Sequence, residues 1–115
     1  MNAPVIRILI GKFNADKAAL VVAKLNESKA RLEDGIRAMK GNLAYYAGVD
    51  RINNAMHNVS IWQSVADANQ MATFAPMLAL AGEFTAIGVR FERPILNFDT
   101  NRLTCTVAHT RRHCE

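Results

Sequence analysis

The chain has 115 residues, enough for one domain and too few for two. Half of it is hydrophobic, 21% is charged, and no apolar run reaches membrane-spanning length, so neither a disordered polyelectrolyte nor a membrane protein is expected. The formal charge is +4, with three arginines and one glutamate from Arg102 onward, and this basic tail has neither the stripe nor the motif of a nucleic-acid surface.

Residues Met1 to Phe13 lack a signal-peptide pattern, because Arg7 interrupts a short apolar run and no small-residue cleavage site follows; the default location is cytoplasmic. Val5 to Phe13, rich in β-branched residues, reads as the first strand. Asn14 and Asp16 suit the start of a helix. Ala18, Val21, Val22, Leu25, Leu32, Ile36 and Met39 then recur at helical steps, predicting a long helix from about Asp16 to Met39. Gly35 would loosen its last turn, and Gly41 would follow it as a cap.

Asn42 to Arg51 and Met56 to Gln63 read as two strands joined by a turn at Asn53-Asn54. Ser64, with Asp67 three residues on, resembles a capping box opening a second helix. Ala68, Met71, Ala72, Ala75, Leu78 and Ala79 give its buried face, Pro76 interrupts it, and Gly82 is expected to stop it. Thr85 to Arg93 reads as the fourth strand, ended by Pro94. The order is βαββαβ: an α+β, ferredoxin-like domain over residues 1–98 with two helices on one face of a four-stranded antiparallel sheet, then a basic tail over 99–115 without periodicity.

Strand parity sorts side chains onto two faces. The strongly aliphatic set, Ile6, Ile8, Ile10, Val59, Ile61, Ile87, Val89 and Phe91, is expected under the helices. The opposite face would carry Val5, Arg7, Leu9, Gly11, Phe13, Asn58, Ser60, Trp62, Gly88, Arg90 and Glu92. Tyr45 and Tyr46 take opposite parities, and the sequence does not say which faces where. Large apolar residues on a helix-free face call for a cover, and a second copy of the sheet would supply it. The expected product is a homodimer enclosing an amphipathic pocket.

Asn58, Ser60 and Trp62 share one parity, and Trp62-Gln63-Ser64 passes from strand to helix at once. With the βαββαβ order and the segment Gly41-Asn42-Leu43-Ala44-Tyr45-Tyr46-Ala47-Gly48, this resembles the antibiotic biosynthesis monooxygenase family of dimeric α/β-barrel proteins, over roughly Val5 to Pro94. The Asn58/Trp62 pair is similar to the asparagine and tryptophan of the actinorhodin-pathway type. The resemblance implies oxygenation of a small electron-rich aromatic or quinol by O₂ with no cofactor and no metal. Asn58 and Trp62 would then be the catalytic pair, and Arg7, Leu9, Tyr46, Ser60 and Arg90 would bind substrate. The chain departs from that type in its second helix. Ala68 stands where a tyrosine is expected, no Lys, Arg or Tyr lies between Asp67 and Val89, and the histidine of haem-degrading relatives is missing.

Plainer readings exist for each residue. Trp62 would serve equally as a packing residue, Asn58 as a partner of the hairpin, and Arg7 as an ion-pair partner of Glu92. His57 suits a rim position better than a general base. Cys105, His109, His113 and Cys114 have spacings compatible with a metal ion on a helix, yet Thr106-Val107-Ala108 is a poor helix former, and free thiols are expected instead. The alternative to an enzyme is a non-catalytic dimeric barrel protein that binds a small hydrophobic metabolite.

Overall fold

The computed structural model describes residues 3–101. Cys105, His109, His113, Cys114 and the basic run from Arg102 lie outside the described residues. The order is β1 (Val5–Lys12), a 3₁₀ turn (Ala15–Lys17), α1 (Ala18–Arg37), β2 (Asn42–Asp50), β3 (Ala55–Trp62), α2 (Val65–Ala68), a 3₁₀ turn (Asn69–Thr73), α3 (Ala75–Ala86), β4 (Arg90–Phe91) and β5 (Leu96–Asp99). The strands form one antiparallel sheet in the order β2-β3-β1-β4, with β5 also paired to β1. This is the expected α+β, ferredoxin-like arrangement with its fourth strand cut to two residues and a fifth strand added.

The turns explain the boundaries. In the β2–β3 hairpin the Asp50 carboxylate accepts from the backbone N–H groups of Ile52 and Asn53 (3.0 and 3.1 Å), and Asn54 adopts φ 52°. An Asx turn followed by a left-handed asparagine reverses the chain without glycine. Ser64, in an extended conformation, accepts at Oγ from the Asp67 N–H (3.1 Å) and opens α2 as the sequence predicts. The chain breaks at Phe74, and Pro76 sits in the first turn of α3, where its missing N–H costs nothing.

The end of α3 corrects the sequence reading. Gly82 does not stop the helix; a Cβ there would meet nothing within 4 Å, so the residue faces open space inside the helix. The stop is Gly88, at φ 105°, with Gly88 N–H donating to Thr85 O and Val89 N–H to Phe84 O, both at 3.0 Å. That pair of bonds is a Schellman cap. Thr85 to Ile87 are therefore helix and cap, and the fourth strand shrinks to Arg90–Phe91. Alternating Thr85, Ile87 and Val89 mimics a strand, but the left-handed glycine decides the matter.

The second correction concerns the faces. Val5, Leu9 and Phe13 from β1 and Met56 and Trp62 from β3 are buried, and Phe13, Met56 and Trp62 share a core with Val21, Leu32 and Ile36 of α1 and Met77, Leu80 and Phe84 of α3. Arg7, Asn58 and Ser60 are buried on that same side. On β1 and β3 the helices thus cover the mixed polar face, not the aliphatic one, whereas Val89, with Ile87 and Phe91 packed against the core, lies under the helices as expected. Ile6, Ile8, Ile10, Val59 and Ile61 lie on the outer face, each only partly buried, beside exposed Tyr46, Leu96 and Phe98. Parity separates two sets but not their sides. The crossover through α1 fixes which side the helices take, and pleat phase, which no composition encodes, fixes which set points there.

Two glycines mark close approaches. Gly11 sits beneath Val89, whose Cγ1 would lie 2.6 Å from an added Cβ. Gly35 does not loosen α1; it makes room for the Phe74 ring, 2.5 Å from the position of a Cβ, and so seats the α2–α3 corner against α1.

Candidate functional site between the sheet and the helices

On the covered face, β1 and β3 run antiparallel with Val5 opposite Trp62, Arg7 opposite Ser60, Leu9 opposite Asn58 and Gly11 opposite Met56. Strand β2 adds Tyr45 opposite Ser60 and Ala47 opposite Asn58. The result is a polar patch of Arg7, Ser60, Asn58 and Tyr45, bounded by Trp62 on one side and Leu9 on the other. All but Tyr45 are buried. Buried polar groups cost free energy unless paired, so such a patch beneath two helices is not a packing optimum.

One pairing orders it. The Tyr45 hydroxyl donates to Asn58 Oδ1 at 2.7 Å. This occupies the acceptor end of the Asn58 amide and leaves Nδ2 as the end free to donate elsewhere. Burial, assisted by the nearby Glu33 carboxylate, pushes the Tyr45 hydroxyl up to about 12, so it stays protonated and keeps donating. Trp62 is fully buried, and its Nε1–H has no hydrogen-bond partner among the described residues. An indole N–H in that state is a donor awaiting an acceptor. Trp62 and Asn58 are four residues apart on β3, about 13 Å along the strand, so they address opposite ends of whatever lies over the patch.

Among the spaces that adjoin the patch, two share lining residues from α1. A small interior cavity, about 10 Å³, is lined by Leu9 and Asn58 from the sheet, Leu25, Ser28 and Leu32 from α1, and Leu80 and Phe84 among the residues of α3. It holds one water at most. A larger groove of about 260 Å³ runs outside it between α1 and β2, lined by Tyr45, Ala47, Glu33 and the same Leu25, Ser28 and Leu32. Above the interior cavity α1 and α3 are tied by Glu83, which meets Arg31 at 2.6 Å and Lys24 at 2.9 Å, while Glu27 meets the same two cations. The hydrogen bonds from Arg31 and then Lys24 hold the Glu83 carboxyl down to about 2.

The structure brings together Asn58, Ser60, Arg7 and Leu9, with Trp62 at one end of the same face. It leaves Tyr46 and Arg90 apart: Tyr46 is exposed on the outer face, and Arg90, opposite Lys12, is also exposed. Tyr45 is the residue the sequence could not single out. A register shift between Asn42 and Ala44 sets which of the two tyrosines points inward. Arg7 forms no ion pair with Glu92 among the described residues, and no cluster of metal-binding side chains occurs among them. No helix of the described residues is long and apolar enough to cross a membrane.

No family model matches the chain, and no curated protein matches it. Solved structures do. One, a candidate antibiotic biosynthesis monooxygenase from Deinococcus radiodurans, superposes with a TM-score of 0.66 at 13% identity, over 90% of this chain and 99% of that one. Another candidate of the same description, from Nitrosomonas europaea, gives 0.67 at 11% identity, over 91% and 97%. A variant of SnoaB, a cofactor-independent oxygenase from Streptomyces nogalater, gives 0.62 at 12% identity, over 88% and 96%. At these identities the likeness is one of fold.

Proposed function

We propose that this protein is a cofactor-independent monooxygenase that oxidises a small electron-rich phenol or hydroquinone with O₂, in a pocket opened between the sheet and the helices. The observation that carries the reading is the buried donor set: the Trp62 Nε1–H without a partner, and the Asn58 amide held by Tyr45 with its donor end free. Fixed donors in a water-poor site stabilise a phenolate and the charge that develops as it gives electrons to O₂. The balance needs no further reagent. The ring C–H carbon becomes a carbonyl, one atom of O₂ enters the ring, the other leaves as water with the two hydrogens, and the substrate supplies all four electrons. That the solved structures sharing the fold include a cofactor-independent oxygenase supports this reading.

The outer sheet face supports a homodimer. Ile6, Ile8, Ile10, Val59, Ile61, Leu96 and Phe98 form a near-continuous aliphatic and aromatic surface. A second copy packed sheet to sheet would cover it at about 25 cal/mol per Å² of apolar area removed from water.

The alternative, a non-catalytic dimeric protein holding a small hydrophobic metabolite, is favoured by the second-helix region. Ala68 is fully buried at the position where the resemblance implies a tyrosine, and Val65–Ala86 offers no Lys, Arg or Tyr. Oxygen uptake with a panel of naphthols and hydroquinones, with anaerobic controls, separates the two. The enzyme reading expects consumption that falls at least tenfold in Asn58→Ala and Trp62→Phe. Binding without consumption selects the alternative.

A further inference from the structure

Arg7 stands in the middle of the covered face, 8% exposed, opposite Ser60 and one inward-facing step from Leu9, which lines the interior cavity. Among the described residues no carboxylate pairs with it. Asp99 is on the same face but opposite Val5, one step along, and Glu92 is exposed; neither forms an ion pair. Among the described residues the one charge that perturbs it is a second cation. Burial and then the proximity of Arg93 both disfavour the charged form of Arg7. A guanidinium does not lose its proton under such pressure; it acquires a counter-charge.

Extending the proposed function, we infer that Arg7, with Ser60 at its side and Arg93 at the rim, forms an anion subsite, so that the ligand of this pocket is an aromatic acid bearing a carboxylate as well as its oxidisable ring. The planar guanidinium takes a carboxylate through two parallel hydrogen bonds, and the Ser60 hydroxyl donates a third. The carboxylate then anchors the ligand at the centre of the patch, midway between Trp62 and Asn58, and the ring extends from it toward Asn58 and the cavity beside Leu9. A neutral quinol would leave the buried cation as costly as before.

The test compares two inert ring systems of the same shape, 2-naphthoate and 2-naphthamide. Binding is read by the fluorescence of Trp62, the one tryptophan of the chain, and by calorimetry. The subsite expects naphthoate to bind about tenfold tighter or better, as a charge-assisted hydrogen bond implies. Arg7→Met should erase that preference while naphthamide binding stays within about threefold. Arg93→Ala, an exposed position, should reduce it and covers the case in which the Arg7 variant does not fold. Equal binding of the two compounds, no binding of either, or a preference that survives both substitutions overturns the subsite. The chemistry stands or falls separately: oxygen uptake from neutral naphthols with equal naphthoate and naphthamide binding would sink the subsite alone, and a clear anion preference without oxygen uptake would sink the oxygenase alone.

Discussion

The Tyr45 hydroxyl donates to Asn58 Oδ1 across two adjacent strands, 13 residues apart in sequence and 2.7 Å apart in space. In the proposed site the bond would act through orientation, because an amide can present either its oxygen or its nitrogen to a ligand, and Tyr45 takes up the oxygen. Tyr45→Phe should lower kcat for oxygen consumption about tenfold with little change in KM, and cost roughly 1 kcal/mol of stability in urea titration. An unchanged kcat would make Tyr45 a packing residue only.

The same hydroxyl gives a pH signature. Its folded-state value is raised to about 12, against about 10 in an unfolded chain. The stabilisation is thus complete below pH 10, declines as the unfolded chain ionises first, and is lost by pH 12, at up to about 1.4 kcal/mol per unit of pH. Urea titrations between pH 9 and 12 should show this decline in the parent and a shallower one in Tyr45→Phe.

Glu83 gives the opposite limb. Its carboxyl is depressed to about 2, so the stability it adds is present above the ordinary carboxylate range near 4.5 and is lost as pH falls toward 2. The carboxylate is more than a third exposed, so salt screens much of the effect. Glu83→Gln should flatten the acid limb of the melting-temperature profile between pH 4.5 and 2, and 1 M salt should bring parent and variant together. A Glu83→Gln profile parallel to the parent's would remove the clamp between α1 and α3.

Gly11 has no room for a side chain under Val89, Met56 and Phe91. Gly11→Ala should cost about 1–3 kcal/mol through overpacking, read from the urea midpoint. A neutral result would mean that α3 and the sheet separate easily at that end.

The outer face makes a prediction about assembly. Ile8→Glu places a charge at the centre of the aliphatic surface and should convert a dimer into a folded monomer, seen as halved mass in light scattering with an unchanged far-ultraviolet spectrum. If the parent is already monomeric at high concentration, the sheet face is not a self-association surface.

Much of this molecule could be read from the chain alone. The helical spacing from Ala18 to Ile36, the Ser64 cap and the turn at Asn53-Asn54 are local chemistry, and each element forms where its residues say. The faces were not legible. Ile6, Ile8 and Ile10 look more like core than Arg7 does, yet the helices cover Arg7. Hydrophobicity ranks the two sets, and a sheet with apolar side chains on both faces, the mixed one under its own helices and the more aliphatic one outside, defeats the ranking. The end of α3 was misread for a related reason: Gly82 and Gly88 are equal as letters, and only backbone conformation shows that the second carries the cap. Tyr45 could not be chosen over Tyr46 because the shift at Asn42/Ala44 is a property of pairing between strands.

Leu25, Ser28 and Leu32 each border both the interior cavity and the outer groove. They form a partition one side chain thick between a chamber too small for any ring and a cleft that opens on solvent. In the proposed oxygenase, size selection would fall to these side chains of α1 rather than to the hydrogen-bonded strands of the sheet. Shortening Leu25 to alanine would widen the passage between the two spaces toward Asn58 and admit wider molecules and more water together, so in the proposed oxygenase breadth of substrate and dryness of the chamber would be opposed by the bulk of three neighbouring side chains.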